Sequence, residues 1–197
     1  MSRLVRLIAC SSSGELLGGL PEFRVESSGW PDVQPVVEGA RTAFGIEVVI
    51  LRLLSADSAT PTIGGAVSYL AEVVGDLPPA IAVGRVDPGV LGGDQPLRAP
   101  WARPGGVATT IAWADTVLAA LDRPRTGAAI QVKSWNLSSA LRLPTAAGDV
   151  WCKSVPRFMT DEGAILAHAC RAGPRARPAP AWLGPWVEDG VARTCPR

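Results

Sequence analysis

The sequence has few of the residues that build metal sites and membrane spans. It contains one histidine, His168, and four cysteines, none of which forms a Cys-x-x-Cys pair. A Cys/His zinc site needs four closely organised ligands, so this composition argues against one. No apolar run approaches the roughly 20 residues that are needed to cross a bilayer. We therefore expect neither a zinc module nor a membrane-spanning protein.

An excess of charge of either sign is also lacking. The 19 basic and 18 acidic residues leave a net charge of +1, which gives no general reason to bind nucleic acid or a membrane surface. Hydrophobic residues make up 47% of the chain, which is enough to bury a core. Scattered cysteines are typical of reduced thiols in a cytoplasmic protein. The composition predicts a cytoplasmic protein without a nucleic-acid or membrane partner.

The first residues have the form of a bacterial lipoprotein signal but not its length. Residues 7–10 read LIAC, yet the apolar stretch before the cysteine begins only at Leu4 and is interrupted by Arg6. A signal peptide needs about 7–15 uninterrupted apolar residues. The pattern instead favours a buried first strand over residues 3–10.

Residues 1–75 show the periodicities of a small α+β domain. They predict strands over 3–10, 15–20, 46–54 and 66–74 and a helix over 32–44, with Asp32 as N-cap and Gly45 at its end. Residues 76–106 are rich in Gly, Pro and Asp without a clear period, which indicates a linker. Residues 107–127 hold a second, connecting helix, whose predicted apolar face is Ile111, Ala114, Val117, Leu118 and Leu121.

Residues 29–46, GWPDVQPVVEGARTAFGI, are faintly similar to the helix of Nudix hydrolases. That chemistry needs carboxylates on the helix, because they hold Mg²⁺. Aligned on Gly45 and Ile46, the two metal-binding glutamate positions fall on Thr42 and Ala43, and the arginine-glutamate pair falls on Glu38 and Gly39. The resemblance implies a Nudix-like shell without its metal site, and an unrelated small α+β domain fits the same residues.

Residues 128–197 follow a different pattern. A strand over 129–135, a polar turn over 136–139 and strands over 140–143 and 150–154 are predicted. Strand alternation places Lys153 on the face opposite Cys152, from which its ammonium can point toward the turn. Thr160 or Asp161 can cap a following helix that has Glu162 in its first turn.

The motifs WNLSS at 135–139, VWCK at 150–153, Pro156 and EGA at 162–164 resemble the aminoglycoside phosphotransferase family, which is kinase-like. The resemblance implies that residues 128–197 form a nucleotide-binding small lobe, an antiparallel sheet plus one helix, that takes ATP. By position, Asn136, Ser138 and Ser139 would lie in the phosphate-covering loop. Lys153 would contact the phosphates, and Glu162 would pair with Lys153. The loop has no glycine, so serine hydroxyls would replace part of its close backbone approach.

The catalytic parts of that family do not follow in the sequence. The family's large lobe carries a His-Gly-Asp loop and a metal-binding aspartate, whereas His168 is followed by Ala169. The resemblance implies a truncated transferase, inactive alone, whose full-length parent would move a phosphoryl group from ATP, with Mg²⁺, to a small-molecule hydroxyl. The alternative is a non-catalytic nucleotide- or partner-binding module. An independent hydrolase would need a carboxylate cluster or an activated nucleophile, and neither is visible.

Overall fold

The fold is α+β, as predicted. The computed structural model describes residues 2–27, 29–57, 62–93, 95–159 and 182–183, and these contain two α-helices and two sheets. The chain divides into two compact units. The first comprises Met1–Ala108 with Lys133–Asn136, and the second comprises Thr109–Val132 with Leu137–Arg197.

The first unit is built on a five-stranded mixed sheet. Its strands are β1 (Arg3–Cys10), β2 (Leu16–Gly19), β3 (Phe23–Val25), β4 (Val48–Asp57) and β5 (Ala66–Val73). Strand β1 pairs in parallel with β5 and in antiparallel fashion with β2 and β3, and β4 pairs with the other side of β5. Leu7 is buried on one face of β1 and Ile8 on the other, which explains why this strand is apolar at nearly every position.

Helix α1 (Gln34–Phe44) packs on one face of this sheet through Val36 and Ala40. Its N-cap is Val33, and no side chain caps it, so the prediction of Asp32 as N-cap was wrong. The Asp32 carbonyl instead accepts a hydrogen bond from the Arg3 guanidinium. Gly45 ends the helix as predicted, with a φ of 67° that favours glycine.

The opposite face is covered by irregular chain. Val86, Val90 and Leu91 pack against the buried side chains of Ile8, Cys10, Leu51 and Leu70. Two short 3₁₀ turns, Pro88–Leu91 and Pro100–Ala102, lie in this segment, and the Trp101 side chain is only 3% exposed. The described part of residues 76–106, predicted as a linker, thus belongs to the first unit; the domain boundaries at 75 and 106 stay a prediction.

Two side chains of the sheet, the partly buried Arg52 and the buried Glu72, bind this covering segment. Arg52 donates to the carbonyl oxygens of Leu91 at 2.6 Å and Ala102 at 2.9 Å. The Glu72 carboxylate accepts from the Gly105 N–H at 2.7 Å. Irregular backbone lacks the regular backbone hydrogen bonds of a helix or sheet. Side chains such as these therefore supply hydrogen-bond partners for its N–H and C=O groups.

The second sheet has the order β6 (Ile130–Trp135), β7 (Ser138–Leu143), β8 (Val150–Ser154) and β9 (Trp182–Leu183), and of these β7, β8 and β9 belong wholly to the second unit. Strands β7 and β8 are antiparallel, with Ala140 opposite Lys153. The pairing of β8 with β9 is parallel, which requires a connection longer than a hairpin turn.

Helix α2 (Gly106–Ala120) buries Ala114 and Leu118, whereas Leu121, predicted on the same face, lies beyond the helix end and is exposed. The carboxylate of Asp115 accepts two hydrogen bonds from Arg125, at 2.9 and 2.8 Å, and this pairing lowers the pKa of Asp115. Within the described residues, neither helix has the length and apolar character that a membrane crossing requires. The helix predicted over 160–171 lies outside the described residues.

Candidate functional site

Lys153 lies on the half-exposed face of the second sheet. In β8, Val150 and Cys152 are buried, whereas Trp151 and Lys153 are partly exposed. The register with β7 sets Ala140 opposite Lys153, so side chains of β7 at even-numbered positions share its face. Ser138 is one of them, and it is also partly exposed. The two strands therefore bring Lys153 and Ser138 to one face, near the end of β7 that follows the turn.

Ser139 lies on the other face. Its side chain is 3% exposed and shares the buried side of β7 with Leu141 and Leu143. The sequence prediction treated Ser138 and Ser139 as one polar loop. Strand β7 begins at Ser138, however, so alternation turns the two hydroxyls in opposite directions. Ser139 is not brought together with Lys153.

Asn136 and Leu137 form the two-residue connection between β6 and β7, and both are exposed. Asn136 is grouped with the first unit, and Leu137 with the second. Leu137 keeps 49% of its surface exposed. The predicted phosphate-covering segment is thus shorter than proposed from sequence: two turn residues followed directly by a strand.

Glu162 and His168 lie outside the described residues. The predicted pairing of Glu162 with Lys153 therefore stays a prediction. The same holds for the packing of the predicted helix that carries them.

The electrostatics of the two faces differ. The half-exposed face carries two cationic side chains, Lys153 and Arg142, and the Arg142 guanidinium pairs with Asp149 at 3.1 Å. On the other face, burial raises the pKa of the Cys152 thiol to about 12, so that face holds no thiolate near neutral pH. An ammonium and a hydroxyl on one open face form a donor set that suits phosphate oxygens.

The Nudix-like positions on α1 carry no comparable donor set. The Glu38 carboxylate accepts from the Gln34 amide at 2.8 Å, and Thr42 donates to the Glu38 carbonyl at 2.9 Å. A Cβ atom at Gly39 would lie 2.6 Å from the Phe23 ring, so a carboxylate side chain there would displace that ring. Among the residues that the structure describes, no three Asp, Glu, His or Cys side chains are grouped to hold a metal ion.

A buried cluster in the first unit was missed from the sequence. Arg3 is 1% exposed, and its guanidinium donates to the carbonyls of Gly29 and Asp32 and lies 5.8 Å from the centre of the Tyr69 ring. The Tyr69 hydroxyl donates to the Trp30 carbonyl at 2.8 Å. Burial lowers the pKa of Arg3 and raises the pKa of Tyr69 to about 12. Alternation along β1 was the available signal, because it places Arg3 on the face of Val5 and Leu7.

Comparison of the chain with models of protein families, with curated proteins and with solved structures finds no match in any of the three.

Proposed function

We propose that the half-exposed face of β7 and β8 binds the phosphates of ATP, with Lys153 as the cationic contact. The observation that carries the proposal is the shared face of Lys153 and Ser138 next to the Asn136–Leu137 turn. In kinase-like phosphotransferases a strand lysine contacts the nucleotide phosphates beneath a covering turn. In this chain Lys153 and Ser138 share one face of β8 and β7, and Ser138 directly follows the turn, which supports the proposal.

The cross-strand neighbour of Lys153 supports this reading. Ala140 lies opposite the lysine, and its methyl group takes little of the space above the sheet.

The proposed activity of this chain is nucleotide binding in the cytoplasm. In the family it resembles, the phosphoryl group passes to a small-molecule hydroxyl when a large lobe supplies the base and the Mg²⁺ ligands. The sequence contains no His-Gly-Asp loop, and the described residues hold no acidic cluster that fits Mg²⁺, so we propose nucleotide binding without phosphoryl transfer. A non-catalytic nucleotide-binding module is the second candidate, and turnover separates the two.

Titration of the full chain with a fluorescent ATP analogue tests the proposal. Lys153→Met keeps most of the aliphatic stem and removes the charge, and we expect it to weaken binding about tenfold, the loss of one charged hydrogen bond. Arg41→Gln is the matched charge control, because Arg41 pairs with Glu47 on the exposed surface of the first unit. Equal affinity of Lys153→Met and the parent chain would contradict the proposal.

A phosphoryl-transfer assay decides between the two candidates. With ATP, Mg²⁺ and a panel of aminoglycosides and small alcohols, we expect no product from this chain alone. Turnover that Lys153→Met abolishes would show that the chain holds a complete transferase site.

A further inference from the structure

A cavity of the first unit is lined by two side chains of opposite charge, Arg6 and Glu22. Its volume is about 290 Å³, and its walls are Arg6, residues 19–22, Ala82 and Gly84. All of these residues belong to the first unit, and none of them is part of the proposed nucleotide site. Sites for drug-sized ligands begin at roughly 300 Å³, so this cavity suits a smaller molecule.

The cavity forms where the chain crosses from β2 to β3. Strand β1 pairs with β3 as far as Val5 and with β2 from Ile8 onward, so residues 20–22 pass alongside the two residues between them. Of these two, Leu7 is buried in the core and Arg6 is exposed. The Arg6 side chain therefore lines the open space beside the crossing.

Two glycines give the Arg6 guanidinium its place. Gly19 and Gly84 exchange two backbone hydrogen bonds, of 2.9 and 2.8 Å. A Cβ atom at Gly19 would lie 2.9 Å from Arg6 Nη2 and 3.1 Å from a Val86 methyl group, and one at Gly84 would lie 3.8 Å from Arg6 Nη2. Because neither residue has a side chain, the guanidinium lies against the backbone at the cavity wall.

The two charges of the cavity are not paired with each other. Within the part of the chain that the structure describes, the side chains of Arg6 and Glu22 form no hydrogen bond or ion pair. The backbone N–H groups of Gly19 and Gly84 are bound to each other's carbonyls, and the Leu20 N–H donates to the Leu7 carbonyl at 2.8 Å. The guanidinium is therefore the donor that an anionic group would meet at this wall.

We propose that this cavity binds a small zwitterion, a free amino acid with an apolar side chain such as leucine. The Arg6 guanidinium binds the carboxylate through parallel N–H···O bonds, and the Glu22 carboxylate accepts from the ammonium group. Leu20, Pro21 and Ala82 provide the apolar wall for the ligand side chain. Glu22 repels a ligand that carries a carboxylate alone, and Arg6 repels one that carries an amine alone, so the two charges select a molecule that has both.

An NMR titration of the isotope-labelled full chain tests this with leucine and two analogues that each lack one charge. Isocaproate lacks the ammonium group of leucine, and isoamylamine lacks its carboxylate. We expect saturable shifts with L-leucine at the amides of residues 19–22 and 82–84, and binding about tenfold weaker or more for each analogue. The absence of saturable shifts with L-leucine up to about 10 mM would overturn the proposal, and so would equal affinity for leucine and either analogue.

Two substitutions assign the charges, and a third is their control. Arg6→Gln and Glu22→Gln each remove one charge and keep a side chain of similar length. In Arg6→Gln leucine should bind no better than isoamylamine, and in Glu22→Gln no better than isocaproate. Arg24→Gln should leave the affinity unchanged, because Arg24 is exposed and does not line the cavity.

All three substituted positions are exposed, so we expect the variants to fold as the parent chain does. A preference for leucine over isoamylamine that persists in Arg6→Gln would overturn the role of Arg6. A loss of leucine affinity in Arg24→Gln as large as that in Arg6→Gln would show a general charge effect and no site.

Discussion

The charged side chains of the two sheets have different surroundings. The sheet of the first unit is buried on both faces, and its charged side chains Arg3 and Arg52 bind backbone carbonyls of the chain itself. The β7–β8 pair of the second unit buries one face and leaves Lys153 and Arg142 on a half-exposed face. Charge in the first sheet therefore binds the backbone of loops, whereas charge in the second sheet stays partly exposed.

The largest expected change in the free energy of unfolding comes from substitutions on the two buried faces of the first sheet. Leu7 lies on the α1 face and Leu70 on the opposite face, and both are almost fully buried. Leu7→Ala and Leu70→Ala should each lower the free energy of unfolding by about 2–5 kcal/mol, because each leaves a cavity. Leu97→Ala is the control, since Leu97 is 98% exposed. A small effect at Leu70 alone, measured by urea unfolding, would mean that the second face is not a core.

The next effect concerns the buried arginine. Arg3→Met should lower the free energy of unfolding by about 2–4 kcal/mol, because the carbonyls of Gly29 and Asp32 lose their donor in a buried site. Arg24→Met, on the exposed side of β3, should change it by less than about 0.5 kcal/mol. Equal effects of the two substitutions in thermal or urea unfolding would contradict the claim that Arg3 stabilises the loop through its hydrogen bonds to Gly29 and Asp32.

A smaller effect depends on pH. Tyr69→Phe loses the hydrogen bond to Trp30 and should cost about 1 kcal/mol near pH 8. Burial raises the pKa of Tyr69 to about 12, above the ordinary value of 10. The contribution of the hydroxyl is therefore complete below pH 10 and is lost as the pH rises toward 12.

Urea unfolding of the parent chain and of Tyr69→Phe at several pH values checks the direction of this pH dependence. The advantage of the parent chain over Tyr69→Phe should shrink between pH 10 and pH 12. Burial, together with the Glu72 carboxylate, also raises the pKa of Cys10 to about 11, but that thiol is common to both proteins and cancels in the difference. A difference that stays constant to pH 12 would contradict the buried position of the hydroxyl.

The smallest effect belongs to the open face of the second sheet. Arg142 pairs with Asp149 at 3.1 Å, and both side chains keep a third or more of their surface exposed. Arg142→Gln should change the free energy of unfolding by less than about 1 kcal/mol, and 1 M salt should remove most of that change. A loss larger than this, independent of salt, would show that the face is closed.

Much of the fold was predictable because periodicity is a local signal. The spans of β1, β5, β8 and α1 follow from the spacing of apolar residues, and the helix end follows from Gly45. The packing of residues 76–106 was not predictable, since irregular chain held by Arg52 and Glu72 has no period to detect. A buried tryptophan at position 101, in a stretch otherwise rich in Gly and Pro, was the signal against a plain linker.

The candidate site was predictable only in part. Alternation from Cys152 assigns Lys153 to the open face without any tertiary information. The division between Ser138 and Ser139 depends on where β7 begins, and a sequence does not fix a strand start to one residue. The hydrogen bonds of the Ser134 and Trp101 side chains join residues 34 or more positions apart, so no local sequence pattern predicts them.

The most direct test of the nucleotide site uses the two lysines of the chain, Lys133 and Lys153. An acyl phosphate derivative of ATP transfers its acyl group to a lysine that lies beside the bound phosphates, and mass spectrometry of peptides locates the product. We predict that Lys153 is acylated several times faster than Lys133, and that excess ATP suppresses the reaction at Lys153 alone. Equal acylation of the two lysines, unaffected by ATP, would contradict a phosphate site on this face.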